Sequence, residues 1–403
     1  MLSLLCRAVP VGLAALLLLA AARPAHAQID KLPHPDTTAG NFFGVAVAID
    51  GDRALVGASS EDACGPNSGA AYLFERDPAT DLWHPAGRLQ PAVCKPGEFF
   101  GRSVALSGDR ALVAAAGEFF ASATSNAAYV FERDPDTGEW AQAARLKGDP
   151  DAQEGAFAAS VALDGDRALI TTWGDPSDGA FNGAAYVFER DPDTGEWNEA
   201  ARFSGSQGPR AGVFGGPADL DGDRAVVAAS TYFRQKPGSV YVFERDPATG
   251  EWNEAARFGG IDDFFISLDL EGDRLLVGES KQGRQDTGAA TVYTRAEDGA
   301  WARTATLEPP LPYDHGAFGS VVSLDGDRAL VVGYDEQLRL DFNIDRVVYV
   351  FEYDPAAAAW EQRHIVDIGE WAFGTALDLH GRRALVGRAS ENAPGAAYVV
   401  RLR

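Results

Sequence analysis

The chain has 403 residues, of which 46% are hydrophobic, so a large core is available, yet it is too long for one compact core of the usual kind. Its formal net charge of −24 argues against nucleic acid and anionic membrane surfaces as partners. That leaves several domains or a repeat architecture, carried by a solvated acidic surface.

The first 27 residues read as a secretory signal. Arg7 supplies the positive end, Val11 to Ala22 the apolar stretch, and Ala25-His26-Ala27 the small-x-small cleavage site. The apolar stretch is short for a membrane span and no second one follows. The mature chain is therefore expected to begin near Gln28, to be secreted or periplasmic, and to have no membrane span. Cys6 leaves with the signal, so Cys64 and Cys94 remain. An oxidising compartment makes a disulfide between them the expectation.

From residue 28 onward one unit recurs. Its opening Phe-Gly or a variant stands at Phe43-Gly44, Phe100-Gly101, Phe157-Ala158, Phe214-Gly215, Phe265-Ile266, Phe318-Gly319 and Phe373-Gly374. These are seven units at near-constant spacing, which mark a repeat fold. Unit three shows four apolar runs, ASVALDG, DRALITT, AAYVFERD and EWNEAARF, each of strand character. The first two join through Asp-Gly, a strong hairpin signal. The spacing predicts an all-β fold: a seven-bladed β-propeller of four-stranded antiparallel blades, as one domain over 28–403.

Six units carry a fourth-strand tryptophan, at Trp83, Trp140, Trp197, Trp252, Trp301 and Trp360. The seventh unit stops after its third strand. Leu32 stands at the same distance before Gly44 as Leu89 does before Gly101, so Gln28 to Leu32 is expected to supply the missing fourth strand and close the ring.

The stretch FERDPDTGEW occurs at Phe131–Trp140 and again at Phe188–Trp197, with FERDPATGEW at Phe243–Trp252. It lies between the third and fourth strands. Asp-Pro-Asp-Thr-Gly suits a type I turn, with Pro135 presetting φ and Gly138 accepting the left-handed position. A calcium loop needs about six oxygen ligands, more than this turn offers. Unit six replaces most of the acids with Ala356 to Ala359, which a turn tolerates and a metal site does not. The arginines after the first hairpins (Arg53, Arg110, Arg167, Arg224, Arg274, Arg328) are expected to pair with acids of the neighbouring turn.

Phe-Gly at the first strand, Val56-Gly57-Ala58 closing the second and Gly69-Ala70-Ala71-Tyr72 opening the third resemble the FG-GAP repeat of integrin α-chain propellers and many secreted bacterial proteins. The resemblance spans roughly 28–403 and implies the propeller fold. Integrin-type units hold calcium in a longer D-x-D-x-D-G hairpin, whereas this chain has a tight LDGDR turn. The calcium sites implied by the family do not carry over residue by residue, so no cofactor or metal is assigned.

Function is expected on the face opposite the short turns, where loops vary. Phe119, Phe120, Trp173, Phe181, Tyr232, Phe233, Tyr334 and Phe342 fall there as candidate ligand-binding aromatics. The histidines form no i, i+4 metal pair, no G-x-S-x-G elbow is present and no carboxylate pair stands out, so no catalytic residue is assigned. The reading is a monomeric, non-catalytic recognition or scaffold protein for an extracellular protein or glycan. A propeller hydrolase or lyase acting on extracellular polysaccharide and a calcium-dependent adhesin are the alternatives.

Overall fold

A computed structural model of the chain describes residues 28–34, 38–117, 126–148, 156–173, 183–204, 213–230, 238–261, 266–280, 287–310, 317–334, 346–368 and 373–403. Among them the strands form seven four-stranded antiparallel sheets, the blades, with no helix. Blade 1 is Phe43–Asp50, Arg53–Ala58, Ala70–Arg76 and Trp83–Leu89, paired in chain order. Blades 2 to 6 repeat this order.

The third strands read as unbroken apolar runs because both sides of a blade are buried. Side chains alternate across a strand. In blade 2, Ala127, Tyr129 and Phe131 join the core shared with blade 1, whereas Ala128 and Val130 join the core shared with blade 3. Each hydrophobic core thus lies in a seam between two neighbours. Every blade needs both.

The opening phenylalanines anchor these seams. Phe100 is fully buried, with its ring edge-on to Tyr129 at 5.7 Å and Phe131 at 6.0 Å. The first strand then bulges, since Phe100 pairs with Ala115 but the next pair is Val104 with Val113. The bulge carries Gly101 across the preceding blade. Its φ is +91°, and a Cβ there would lie 2.3 Å from the carbonyl oxygen of Ala70. Backbone angle and space both favour glycine at Gly101. Ala158, at φ 63°, holds the same position in blade 3.

The ring closes as its spacing predicts. Gln28–Lys31 pairs antiparallel with Ala396–Arg401, as the outer strand of the sheet that contains Ala376–His380 and Arg383–Arg388. The Leu32 amide adds a bond to the Ala397 carbonyl at 2.9 Å, and the Leu32 side chain is buried. Lys31 takes the place of a recurrent arginine. In blades 1 to 4, Arg88, Arg145, Arg202 and Arg257 lie over Tyr72, Tyr129, Tyr186 and Tyr241, and in blade 7 Lys31 lies 5.5 Å over Tyr398. The bulge between third and fourth strands of the other six blades is missing from this pair.

Two glycines separate angle from space. Gly51 also has positive φ, +58°, but nothing lies within 4 Å of its added Cβ. Gly51→Ala is expected to lose about 1–2 kcal/mol through backbone strain. Gly101→Ala is expected to lose about 1–3 kcal/mol more through overlap. Urea unfolding of both variants measures the difference.

Candidate functional site

The propeller has a turn face and a loop face. On the turn face, the repeated motif folds as its local chemistry requires. The Asp134 carboxylate accepts the amides of Asp136 at 2.8 Å and Thr137 at 3.0 Å, and the Gly138 amide donates to the Asp134 carbonyl at 2.8 Å. These amide bonds hold the Asp134 carboxyl below the usual carboxylate range. In unit six the Asp354 carboxylate still accepts the Ala356 amide at 2.8 Å, so the turn survives loss of the other acids.

The arginines pair as anticipated. Arg53 reaches Asp109 at 3.0 Å, Arg110 reaches Asp166 at 3.0 Å, Arg167 reaches Asp223 at 3.1 Å and Arg224 reaches Asp273 at 3.0 Å. Arg274 continues the series to Asp327 at 2.7 Å. Blade 7 has Arg382 where the acid would stand, and Arg328 donates instead to the Gly381 carbonyl at 3.1 Å. Each exposed pair contributes little by itself.

Inside this belt the first strands enclose a channel of about 530 Å³. Their last residues stitch one blade to the next. The amides of Gly108, Gly222 and Gly272 donate to Asp50 at 2.6 Å, Asp164 at 2.7 Å and Asp221 at 2.5 Å. The Gly165 amide donates to Ser107 Oγ at 3.0 Å, and those of Gly326 and Gly381 to Glu271 and Asp325. The seventh position is His380, whose Nδ1 lies 3.4 Å from Asp50 Oδ1.

Two residues deeper, Asp219, Asp269 and Asp378 accept the amides of Leu270 at 2.7 Å, Leu324 at 2.8 Å and Ile49 at 2.6 Å. Burial, then the nearby Asp269 charge, pushes the Asp219 carboxyl well up, and it is hydrogen-bonded to Asp269. The same causes in the same order push Asp378 up to about 8. The sequence analysis read Asp-Gly as a hairpin turn and singled out neither Asp219 nor Asp269. The missed signal is their i, i+2 spacing in a strand, which puts Asp219 with Asp221 and Asp269 with Glu271 on one face. Among the described residues no group of three or more His, Cys, Asp or Glu is arranged to hold a metal ion.

On the loop face, Cys64 and Cys94 form the expected disulfide, with Cα atoms 6.0 Å apart. It ties the loop between the second and third strands of blade 1 to the loop leading into blade 2. Glu61 in the first of these loops is buried, and its carboxylate accepts the Tyr72 hydroxyl at 2.5 Å and pairs with Arg88. Burial, then the Glu61 contact, raises the Tyr72 pKa.

The second loop covers a hollow of about 280 Å³, lined by Val93, Lys95, Glu98, Tyr129, Gln142 and Arg145 among others. The Ala92 amide donates to Gln142 Oε1 at 2.9 Å, Arg145 Nε donates to the Tyr129 hydroxyl at 3.1 Å, and the Lys95 amide donates to Glu98 at 3.2 Å. Glu98 is buried, which raises its pKa against the opposing pull of Lys95 and Arg145. Val93 stands 68% exposed at the rim.

Of the candidate aromatics, Trp173 is half-buried at the end of Arg167–Trp173 and pairs with Ala156. Tyr334 is half-buried at the end of Arg328–Tyr334, where Arg346 lies 5.7 Å over its ring and donates to its hydroxyl at 3.4 Å. They belong to blades 3 and 6, which are not neighbours. Phe119, Phe120, Phe181, Tyr232, Phe233 and Phe342 lie outside the described residues, as does the signal-like segment. Among the described residues no helix is long and apolar enough to cross a membrane.

The disulfide closes a separation of 30 residues. Replacing both cysteines with serine is expected to remove about 3–4 kcal/mol, read as a lower melting temperature and, by hydrogen exchange, as opening confined first to 59–69 and 90–99.

The FG-GAP repeat family matches residues 27–74, 83–131 and 140–188. Each match begins at a fourth strand and runs to the third strand of the next blade, so residues 28–32 stand in the fourth-strand place here too. No curated protein matches the chain. Among solved structures, the WD40 repeats of RRP9 superpose with a TM-score of 0.57 at 12% identity, covering 93% of this chain and 97% of that one. A Bacteroides uniformis ATCC 8492 protein, provisionally assigned as a 6-phosphogluconolactonase, gives 0.51 at 14% identity, covering 81% and 86%. Likenesses this distant show the fold alone. Three stretches within 27–188 thus match the FG-GAP repeat, and the described strands form a seven-bladed β-propeller of one repeated design.

Proposed function

We propose that this is a monomeric, non-catalytic recognition or scaffold protein, exported from the cytoplasm, that binds an extracellular protein or glycan through its loop face. The FG-GAP propeller fold suggests a protein-binding or scaffold role, and the fold and disulfide fit an extracellular setting.

The observation that carries the reading is the contrast between the faces. On the turn face, turns, arginines and channel acids are spent on one another and on neighbouring blades. On the loop face, a stapled loop frames a hollow in which an exposed valine stands beside amide, phenol and cationic groups fixed in place by their own hydrogen bonds. Rigid concavities with a few convergent polar groups are the usual form of recognition sites.

The test is retention of cell-envelope protein and polysaccharide fractions by immobilised 28–403, in calcium and in EDTA. A variant with Val93→Asp and Gln142→Ala runs alongside. The expected result is a retained partner whose affinity falls about tenfold or more in the variant at unchanged melting temperature. Retention undiminished by the variant, no retained partner, or turnover of the retained polysaccharide would each overturn the proposal.

A further inference from the structure

The arginine belt of the turn face uses one three-point hold, repeated from seam to seam. Arg53, Arg167 and Arg224 each aim Nε at a glutamate of their own blade, Glu75 at 3.4 Å, Glu189 at 3.0 Å and Glu244 at 3.8 Å. Each donates through Nη1 to a glycine carbonyl of the next blade, Gly108 at 3.0 Å, Gly222 at 3.0 Å and Gly272 at 2.9 Å. The third point is the aspartate after that glycine. Asp109 lies at 3.0 Å, Asp223 at 3.1 Å and Asp273 at 3.0 Å.

Arg328 keeps the first two points and loses the third. Its Nε lies 2.9 Å from Glu352, and its Nη1 donates to the Gly381 carbonyl at 3.1 Å. The residue after Gly381 is Arg382, exposed at the turn, whereas the other six turns have Asp52, Asp109, Asp166, Asp223, Asp273 and Asp327. Leu402 in turn replaces the own-blade arginine that elsewhere reaches the same aspartate, as Arg245 reaches Asp223 at 3.7 Å. The Leu402 amide donates to the Arg382 carbonyl at 2.8 Å, as the Arg245 amide does to Asp223. Among the described residues no carboxylate pairs with Arg382. The nearby acids are engaged, Asp325 by the Gly381 amide and Asp327 by Arg274 at 2.7 Å. Two guanidinium groups therefore share this seam with the one carboxylate of Glu352.

From this arrangement we infer that the seam between blades 6 and 7 binds an oxyanion from outside the chain, a carboxylate or phosphate group, in the place the turn aspartate takes elsewhere. Arg328 is held by two anchors and offers its remaining N–H groups to that place. Arg382 adds a second guanidinium from the turn. Such planar donor forks match two oxygens of a carboxylate or phosphate. The anion completes the belt between the two blades. It is a compact one, since a chain of net charge −24 repels an extended polyanion. The site lies on the turn face and is independent of the loop-face reading.

Thermal unfolding of 28–403 at low ionic strength tests this, with sodium phosphate or sodium acetate added against sodium chloride at matched ionic strength. The melting temperature is expected to rise by about 1–3 °C and then saturate with phosphate, acetate or both, and not with chloride. The anion that acts names the class of group bound. Arg382→Asp supplies the carboxylate of the other six turns, so it should melt higher without added anion and show no saturable response. Arg382→Gln removes only the charge and should raise the half-saturating concentration about tenfold. General salting effects grow without saturation and act on all three chains alike. No saturable rise with either anion, or the same rise in wild type and Arg382→Asp, would overturn the inference.

Discussion

No blade of this protein can bury its own two sides. Each four-stranded sheet lays alternate side chains of its third strand into two different seams, so every core is shared between neighbours. Such a ring has no free-standing part. Its stability rests on the blade that Gln28–Lys31 and Ala396–Arg401 build together, and there the work falls to Gln28 through Leu32. Those residues cover an edge whose amides and carbonyls would otherwise be exposed. They do so with the side-chain scheme of the other blades, a cation over tyrosine followed by a buried aliphatic residue.

Everything on the turn face follows from the need to hold blades side by side. At the opposite end of the first strand, the Phe-Gly bulge lets it cross the preceding blade at near-contact distance. The carboxylates and serine at the strand ends accept glycine amides from the neighbour's turn. The arginine belt repeats outside them. Acids are used freely because backbone amides are what they bind, and in the channel desolvation pushes the carboxyls of Asp219, Asp269 and Asp378 above the usual range. This face is committed to holding the ring, while on the loop face the disulfide ties two loops together.

Much of this was legible from the residues. Seven Phe-Gly variants at near-constant spacing give seven blades, because repeat length is set by one supersecondary unit. Leu32 in step with Leu89 gives the closing strand, since register is a matter of counting. Asp-Pro-Asp-Thr-Gly gives its turn because turn chemistry is local. The channel was not legible. Which face of a strand looks inward is decided by ring closure, and an aspartate beside a glycine looks like a turn residue whether or not it is buried. Glu61 misleads in the same way, since a loop acid reads as surface until Tyr72 and Arg88 are seen around it. Tyr334, a candidate ligand-binding aromatic in the sequence, is engaged by Arg346, a contact between strands that sequence spacing does not display.

The dependence of the ring on its closing strand is tested most directly by thermal unfolding of 33–403 beside 28–403, with a synthetic Gln-Ile-Asp-Lys-Leu peptide titrated back. The expected result is a markedly lower melting temperature for the shortened chain, association through its open edge, and recovery of both as the peptide saturates. A shortened chain that melts like the full one and stays monomeric would contradict closure by that strand.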